Sequence, residues 1–455
     1  MTHEEPDGSV SLDGLPASTR RTFLALAGGV GLAGALAACG GDSGGVGGSA
    51  SGGGGSTSSA GSGGGGGGGS KPTLSQWYHL YGEAGTQQAV MRYAKEYPDA
   101  NVKVQWTPGD YTSKLASGLL SNNGPDVYES NVDVDSVKSG QCVALDDIVN
   151  KADYTDADIK ATSVDGKIYG VKIVDDMGLL YYRKSLLSKA GVQPPTTMDE
   201  LISVTKALSS NKMKGLFIGN DAGVTPAFGG GSLLGQICWA AGSDFLTPDG
   251  KPGFLTPEVK QSFLKLQQLA NSGTILLGAP TDWWDPSSFT QGLAAMQWCG
   301  LWAYPGIQKA LGDDVGVVPW PKLSASVGKP STFLGGWTSM VSAKSKNVDA
   351  AKAYTKWLWV DNEKDQEDFN TSYGFHVPPK KALAAKATKL QSGVPAEALK
   401  IFNDYAVPGN PMWTPKMNSA YADAATAIVR KKGDVDSNLA KAKAVVESEL
   451  ARLSK

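Results

Sequence analysis

From residue 73 onward the hydrophobic positions fall into strand and helix periods by turns. Thr73 to Trp77 reads as a first strand. Ala84 to Tyr97 follows at helical spacing, with Val90, Tyr93, Ala94 and Tyr97 on one face, and Pro98 stops it. Val102, Val104 and Trp106 then alternate as a second strand. Strand, helix, strand opens an α/β domain with a parallel sheet. The pattern recurs further on. Tyr169 to Tyr182 is strand-rich, and Thr197-Met198-Asp199-Glu200 is a capping box whose helix carries Leu201, Ile202, Val204 and Leu208. Pro257 opens a helix that ends before Gly273 and turns Val259, Phe263, Leu266 and Ala270 inward. Further helices are predicted over 348–359 and 437–453. No short tandem period occurs, which excludes a solenoid. Two α/β lobes are expected.

The first 70 residues carry a different signal. Arg20-Arg21 precede Thr22-Phe23-Leu24 and an uncharged run to Ala38 that is too short for a comfortable membrane span of ~20 residues. This order of charge, apolar run and small residues is that of an export signal. The paired arginines resemble a twin-arginine signal, and Leu36-Ala37-Ala38-Cys39-Gly40 resembles a bacterial lipoprotein box in which Cys39 becomes the lipidated first residue. Residues 40–70 are nearly all Gly and Ser, a composition that makes a flexible tether with a reach on the order of 30 Å.

Composition narrows the function. The 455 residues hold 42 Lys plus Arg against 44 Asp plus Glu, so no strong field exists to draw nucleic acid. Three histidines and four cysteines with no C-x-x-C spacing argue against a metal site or a His-dependent triad. No cofactor fingerprint and no G-x-S-x-G elbow is present. All 12 tryptophans lie after residue 70, many in turn-like settings. Flat rings beside carboxylates are what a sugar requires, an apolar face for its ring carbons and strong acceptors for its hydroxyls.

Several segments share an order with one family. Glu96-Tyr97-Pro98 with Val102-Lys103-Val104, Gly124-Pro125-Asp126-Val127, Leu145-Asp146-Asp147 and Asp165-Gly166-Lys167-Ile168-Tyr169-Gly170 fall in sequence. Tyr182-Arg183-Lys184, Lys189-Ala190-Gly191, Pro194-Pro195-Thr196 through Glu200-Leu201, and Gly300-Leu301-Trp302 continue it. The chain thereby resembles the extracellular solute-binding proteins of ABC importers, family 1, the maltose-binding-protein class. Lys172 departs from that pattern where a proline is usual, and Arg183 where an asparagine is.

The resemblance implies a periplasmic-binding-protein type II fold: lobe 1 from 71–174 and 319–360, lobe 2 from 178–315 and 365–455, with a hinge and a cleft between them. It implies a monomeric, non-enzymatic receptor on the outer face of the cell membrane, anchored through Cys39, that passes a mono- or oligosaccharide to permease subunits. Trp302 matches a sugar-stacking aromatic. Asp176 matches a sugar-contacting acid, with Asp175 an alternative, and Asp133 matches another, with Glu129 in the same loop. The first-strand loop offers Tyr78, His79, Tyr81 and Glu83. Either Trp283 or Trp284 lines the cleft, Gly336-Trp337 permits close approach of backbone to ligand, and Trp413 is a late wall. Trp77 either reaches the cleft or plugs the core; Trp357 and Trp359 are structural. An oxidising exterior permits Cys238–Cys299 as a disulfide, the alternative being free thiols at Cys142, Cys238 and Cys299. Competing ligands are a polyamine, an oligopeptide or a glycerol-phosphate compound, the last disfavoured because Arg92, Arg183, Arg430 and Arg452 are the only arginines after residue 70. A surface glycosidase is the contrasting enzyme reading.

Overall fold

A computed structural model describes residues 71–225 and 233–454. The export signal, the Cys39 box and the Gly/Ser tether lie outside the described residues.

Strand β1, Thr73–His79, buries Leu74, Gln76 and Tyr78 and leaves the alternate residues part-exposed, as period-two patterning requires. The helix Thr86–Glu96 returns over it with Ala89, Val90, Tyr93 and Ala94 buried. Strand β2, Asn101–Thr107, then pairs parallel to β1 from Thr73 against Asn101 to His79 against Thr107. Strand β3, Val127–Ser130, joins the other side of β1, also parallel. After the small hairpin of β4, Ser163–Val164, and β5, Lys167–Ile168, strand β6 covers Val171–Val174.

The chain then crosses into the second lobe. Strand β7, Gly178–Arg183, lies between β8, Met296–Gly300, and β9, Val315–Val318, all antiparallel. Strand β10, Thr332–Leu334, pairs parallel with β12, Ala406–Pro408. Strand β11, Trp337–Val341, returns to the first sheet between β3 and β6, giving the order β2-β1-β3-β11-β6.

The parallel start expected from the sequence is present, but the second sheet is antiparallel. Segment 214–217 runs parallel alongside β8 instead, with Phe217 N donating to Met296 O and Trp298 N donating to Phe217 O, each at 2.9 Å.

Local signals translate directly. Thr197 accepts from Glu200 N, and Glu200 answers at the Thr197 backbone, capping the helix Met198–Leu208. Leu201, Val204 and Leu208 are buried, while Ile202 is only half-buried. Pro257 is the first residue of the helix Pro257–Ala270, capped by Thr256, and Val259, Phe263, Leu266 and Ala270 are buried. Each such large apolar side chain contributes about 1.5–3 kcal/mol by leaving water.

The expected lobe boundaries need adjustment at two places. Phe369, on the helix Glu363–Thr371, packs in one cluster with Leu74, Val90 and Tyr93, so that helix sits on the first lobe although residues 365–455 were assigned to the second. Trp320, assigned to the first lobe, packs its ring 5.7 Å from Trp298 on β8.

The cysteines correct a second expectation. Cys142, Cys238 and Cys299 are free and buried, so Cys238–Cys299 is not a disulfide. Burial pushes the Cys238 thiol up to about 12, and its Sγ lies 3.2 Å from Tyr421 Oη. These thiols act as small apolar fillers. Trp77 packs against Gly118, and Trp359 is 1% exposed, matching their structural readings.

Replacing Thr197 by Ala removes one half of the capping box. The expected cost is about 1 kcal/mol, read as a lower denaturation midpoint that Thr197→Ser restores.

Candidate functional site

A cavity of about 860 Å³ opens between the two lobes. That is within the ~300–1,000 Å³ usual for ligand sites. The first lobe supplies one wall from the loop after β1 and the start of the helix Tyr111–Leu120. His79, Tyr81 and Glu83 all line it. Tyr78 does not: it is 0% exposed and stacks on Trp106 at 5.1 Å in the core, because alternation along β1 turns it to the opposite face from His79.

Glu129 lies beneath this wall rather than in it. It is 1% exposed and accepts from the backbone N–H of His79 and from Tyr81 Oη at 2.9 Å, while its Oε1 pairs with His79 Nδ1. Tyr111 Oη donates to the Glu129 carbonyl at 2.8 Å. Trp337 stacks on His79 with centroids 4.0 Å apart. One buried carboxylate thus fixes two side chains of the wall, and a tryptophan lies flat on one of them.

The second lobe supplies Trp283, Trp284 and Trp302. Trp283 stands nearly perpendicular to Trp284 at 6.1 Å and edge-on to Trp302 at 5.9 Å. Both Trp283 and Trp284 line the cavity, so the choice between them left by the sequence resolves to both: they sit in a turn, not on a strand that would part them. Trp302 Nε1 donates to Trp284 O at 3.0 Å, tying the two loops together. Trp284 remains 54% exposed at the rim.

Asp176, from the crossing between β6 and β7, forms part of the floor. Its Oδ1 lies 2.5 Å from His376 Nδ1, and His376 Nε2 lies 3.4 Å from Glu83 Oε1. His376 is 3% exposed. Burial alone would depress its pKa, but the carboxylates of Asp176 and then Glu83 outweigh burial and push it up to about 10. Glu83 responds in the opposite sense: burial would raise its pKa, yet the hydrogen bond and charge of His376 hold it below the usual carboxylate value.

Asp175 is 2% exposed and turned away from the cavity, with Lys172 Nζ at 2.9 Å. Burial drives its carboxyl well above the usual range, opposed by Lys172 and reinforced by Asp158. Gly336 lines the cavity, but its lack of a side chain serves the crossing. Its φ is +90°, and a Cβ there would lie 2.1 Å from the Val174 carbonyl.

A smaller chamber of about 400 Å³ adjoins the first, sharing Thr112 and Phe333 with it. Asp133 and Trp413 line this chamber rather than the larger one. Asp133 uses both carboxylate oxygens on Ser136 as the cap of the helix Val134–Lys138. Trp413 stacks on Phe245 at 4.6 Å and 7°. Trp239 also lines it, its Nε1 donating to Asp244 at 2.9 Å. Among the described residues no group of His, Cys, Asp and Glu is arranged to hold a metal ion.

Sequence reasoning passed over His376, Tyr111, Phe333, Tyr373 and Asp244. The scarcity of histidine was the one usable signal for His376; the others carry no local pattern that separates them from core residues.

With this geometry in view, a family model described as bacterial extracellular solute-binding protein matches residues 88–397, more than half of the chain. The chain belongs to that family. Among relatives of this solute-binding protein, a probable ABC transporter-binding protein of Deinococcus radiodurans is 28% identical over 47% of this chain. That match spans 53% of the relative's length, about half. The galactooligosaccharide-binding protein of Bacillus subtilis is 26% identical over 80% of this chain and 87% of its own.

Among solved structures, a solute-binding protein of Thermotoga lettingae superposes with a TM-score of 0.70 at 20% identity, covering 84% of this chain and all of that one (100%). The GacH receptor of Streptomyces glaucescens gives 0.70 at 22% identity, covering 84% and 99%. At these identities the structures establish the two-lobe fold.

His376 has its folded pKa raised from an ordinary value near 6.5 to about 10. Its stabilising contribution is therefore complete below about pH 6.5 and is lost as pH rises through about 10. The difference in melting temperature between the protein and its His376→Gln variant is expected to shrink steadily over that window. A difference that grows with pH would contradict the His376–Asp176 pairing.

Proposed function

We propose that this solute-binding protein is the receptor of an ABC importer and captures a mono- or oligosaccharide between its lobes. The observation that carries the reading is the pair of facing aromatic walls, Trp283, Trp284 and Trp302 against Tyr81 and Trp337, with carboxylates between them. Ring carbons lie flat on such faces while carboxylates accept from hydroxyls. A ligand touching both walls favours closure, because only the closed state offers both sets of contacts.

The ligands of similar proteins support the reading. The Thermotoga lettingae protein was solved with α-D-tagatose, GacH with acarbose, and MalE3 of T. maritima with maltose. The B. subtilis relative is named for galactooligosaccharides. These similar proteins are binding proteins, and we read this chain likewise as a binder that returns its sugar unchanged, not as a glycosidase. Lipidation at Cys39 would hold it as a monomer on the outer face of the membrane. Its tether would let the loaded body reach the permease subunits.

Trp302→Ala is expected to weaken sugar binding by at least about 1 kcal/mol, roughly fivefold in Kd. Isothermal titration against a panel of neutral hexoses and oligosaccharides measures it. Trp302→Phe keeps the ring face without the bond to Trp284 O and should recover most of the loss. Unchanged affinity in the Ala variant removes Trp302 from the contact surface.

A further inference from the structure

Hydrogen-bond donors and acceptors are unevenly distributed in the larger chamber. A neutral sugar presents hydroxyls, each both donor and acceptor, and a matching site offers both kinds of group in return. Here the three tyrosine hydroxyls of the lining are already engaged within the protein, while the Thr112 hydroxyl and the indole N–H groups of Trp283 and Trp284 have no partner among the described residues. Tyr81 Oη donates to Glu129, Tyr111 Oη to the Glu129 carbonyl and Tyr373 Oη to Asp368. The indole N–H of Trp302 is engaged by Trp284 O, and both ring nitrogens of His376 face carboxylates.

Free acceptors remain. Asp176 is 6% exposed and gives Oδ1 to His376, leaving Oδ2 without a partner among the described residues. Asp285 accepts from Ser287 N at 2.8 Å through Oδ1, and its Oδ2 is likewise without one. Among the described residues no lysine or arginine lines the chamber; its acids are Glu83, Asp110, Asp176 and Asp285, against the His376 imidazole set between Asp176 and Glu83. The smaller chamber has one lysine, Lys172, already set against Asp175 and the Gly335 carbonyl.

A group that supplies donors and carries positive charge answers the free carboxylate oxygens and the excess of acidic side chains. A protonated amine has three donors and no acceptor. It gains charge-assisted bonds to the free carboxylate oxygens and attraction to the faces of the neighbouring indoles. Resting on the sugar reading above, we propose that the preferred ligand is an amino sugar, a hexose or short oligosaccharide bearing a protonated amine, with the aminated ring in the larger chamber between Asp176, Asp285 and the tryptophans.

The test is titration of the purified full-length protein with matched pairs: glucosamine and glucose, galactosamine and galactose, mannosamine and mannose, and the glucosamine dimer and cellobiose. N-acetylated forms keep the ring and remove the charge; putrescine and spermidine keep the charge and remove the ring. The expected result is at least a tenfold preference for the aminated member of one pair. That preference should fall in high salt and be lost on N-acetylation. Asp285→Asn should bring the two affinities of that pair to within threefold, and Asp176→Asn provides a second, independent position. A neutral member that binds as tightly as its aminated partner in every pair overturns this inference and leaves the sugar reading standing. Binding of putrescine or spermidine with no sugar bound overturns both, as does a failure of every sugar to bind.

Discussion

The cleft depends on the chain passing between its two sheets at one place, with the crossing segments bonded to one another through their backbones. Asp175 N donates to Val377 O and Val377 N to Asp175 O, both at 2.9 Å, and Gly335 N donates to Asp176 O at 2.9 Å. Gly178 N donates to Thr332 Oγ1, which donates back to the Gly178 carbonyl. Such buried groups are costly to leave unpaired, so the register of the crossings is fixed. That register decides which side chains face the ligand space. With Asp175 paired to Val377, its carboxyl points to the Lys172 side and the next residue along the extended chain, Asp176, points into the cavity. Gly178 belongs to the same constraint, since a Cβ there would lie 2.0 Å from the Trp298 ring.

Away from the crossings the two rims of the interface differ. On one side the lobes touch: Val134 N donates to Pro411 O at 3.0 Å, and Arg452 bridges Asp135 at 2.6 Å and Glu449 at 2.9 Å. On the other side Leu80 and Trp284, at 53% and 54% exposure, face solvent from opposite walls of the larger cavity. Exposed ion pairs contribute about 0–1 kcal/mol each. The ion pairs of the touching rim therefore add little to it; the Val134 to Pro411 backbone bond and the apolar cluster that joins Val132 and Val134 to Leu234 and Trp239 hold it.

Much of the fold was legible because its signals are local. The capping box at Thr197, Pro257 at the start of its helix and the alternation through β1 and β2 each depend on neighbours within a few residues, and each formed as read. The site was legible only as far as a side chain's position followed from its own strand or loop. His79, Tyr81 and Glu83 reach the cavity, but the alternation that places His79 there also removes Tyr78, a consequence of the strand running two residues beyond Trp77. Trp413 occupies the second chamber against Phe245, and Asp175 the far side of the hinge opposite Val377, because their placement is set by partners distant in sequence, while the Asp133 carboxylate is spent on a local cap at Ser136. Long-range pairing also explains the antiparallel second sheet, whose strands are separated by more than a hundred residues of chain between β7 and β8. Nothing in the composition of Cys238 or Cys299 distinguished a bonded pair from two buried thiols; only their packing does so.

The two aromatic walls are ordered by different means, and this bears on how they recognise a ligand. The first-lobe wall is organised around a buried anion. Glu129 engages the backbone and ring of His79 and the hydroxyl of Tyr81, and Trp337 stacks on the imidazole. These rings lose little freedom when a ligand arrives, because the bonds that hold them are already made. The same bonds engage His79 Nδ1 and Tyr81 Oη, so those two tips do not meet the ligand. The second-lobe wall is ordered by ring against ring and by one indole bond to a carbonyl, and its outermost ring is half in water. Polar discrimination then falls to the groups left unpaired on the floor and rim, the second carboxylate oxygens of Asp176 and Asp285 among them. A wall already fixed by its own bonds, set opposite one that can still settle, separates shape selection from closure.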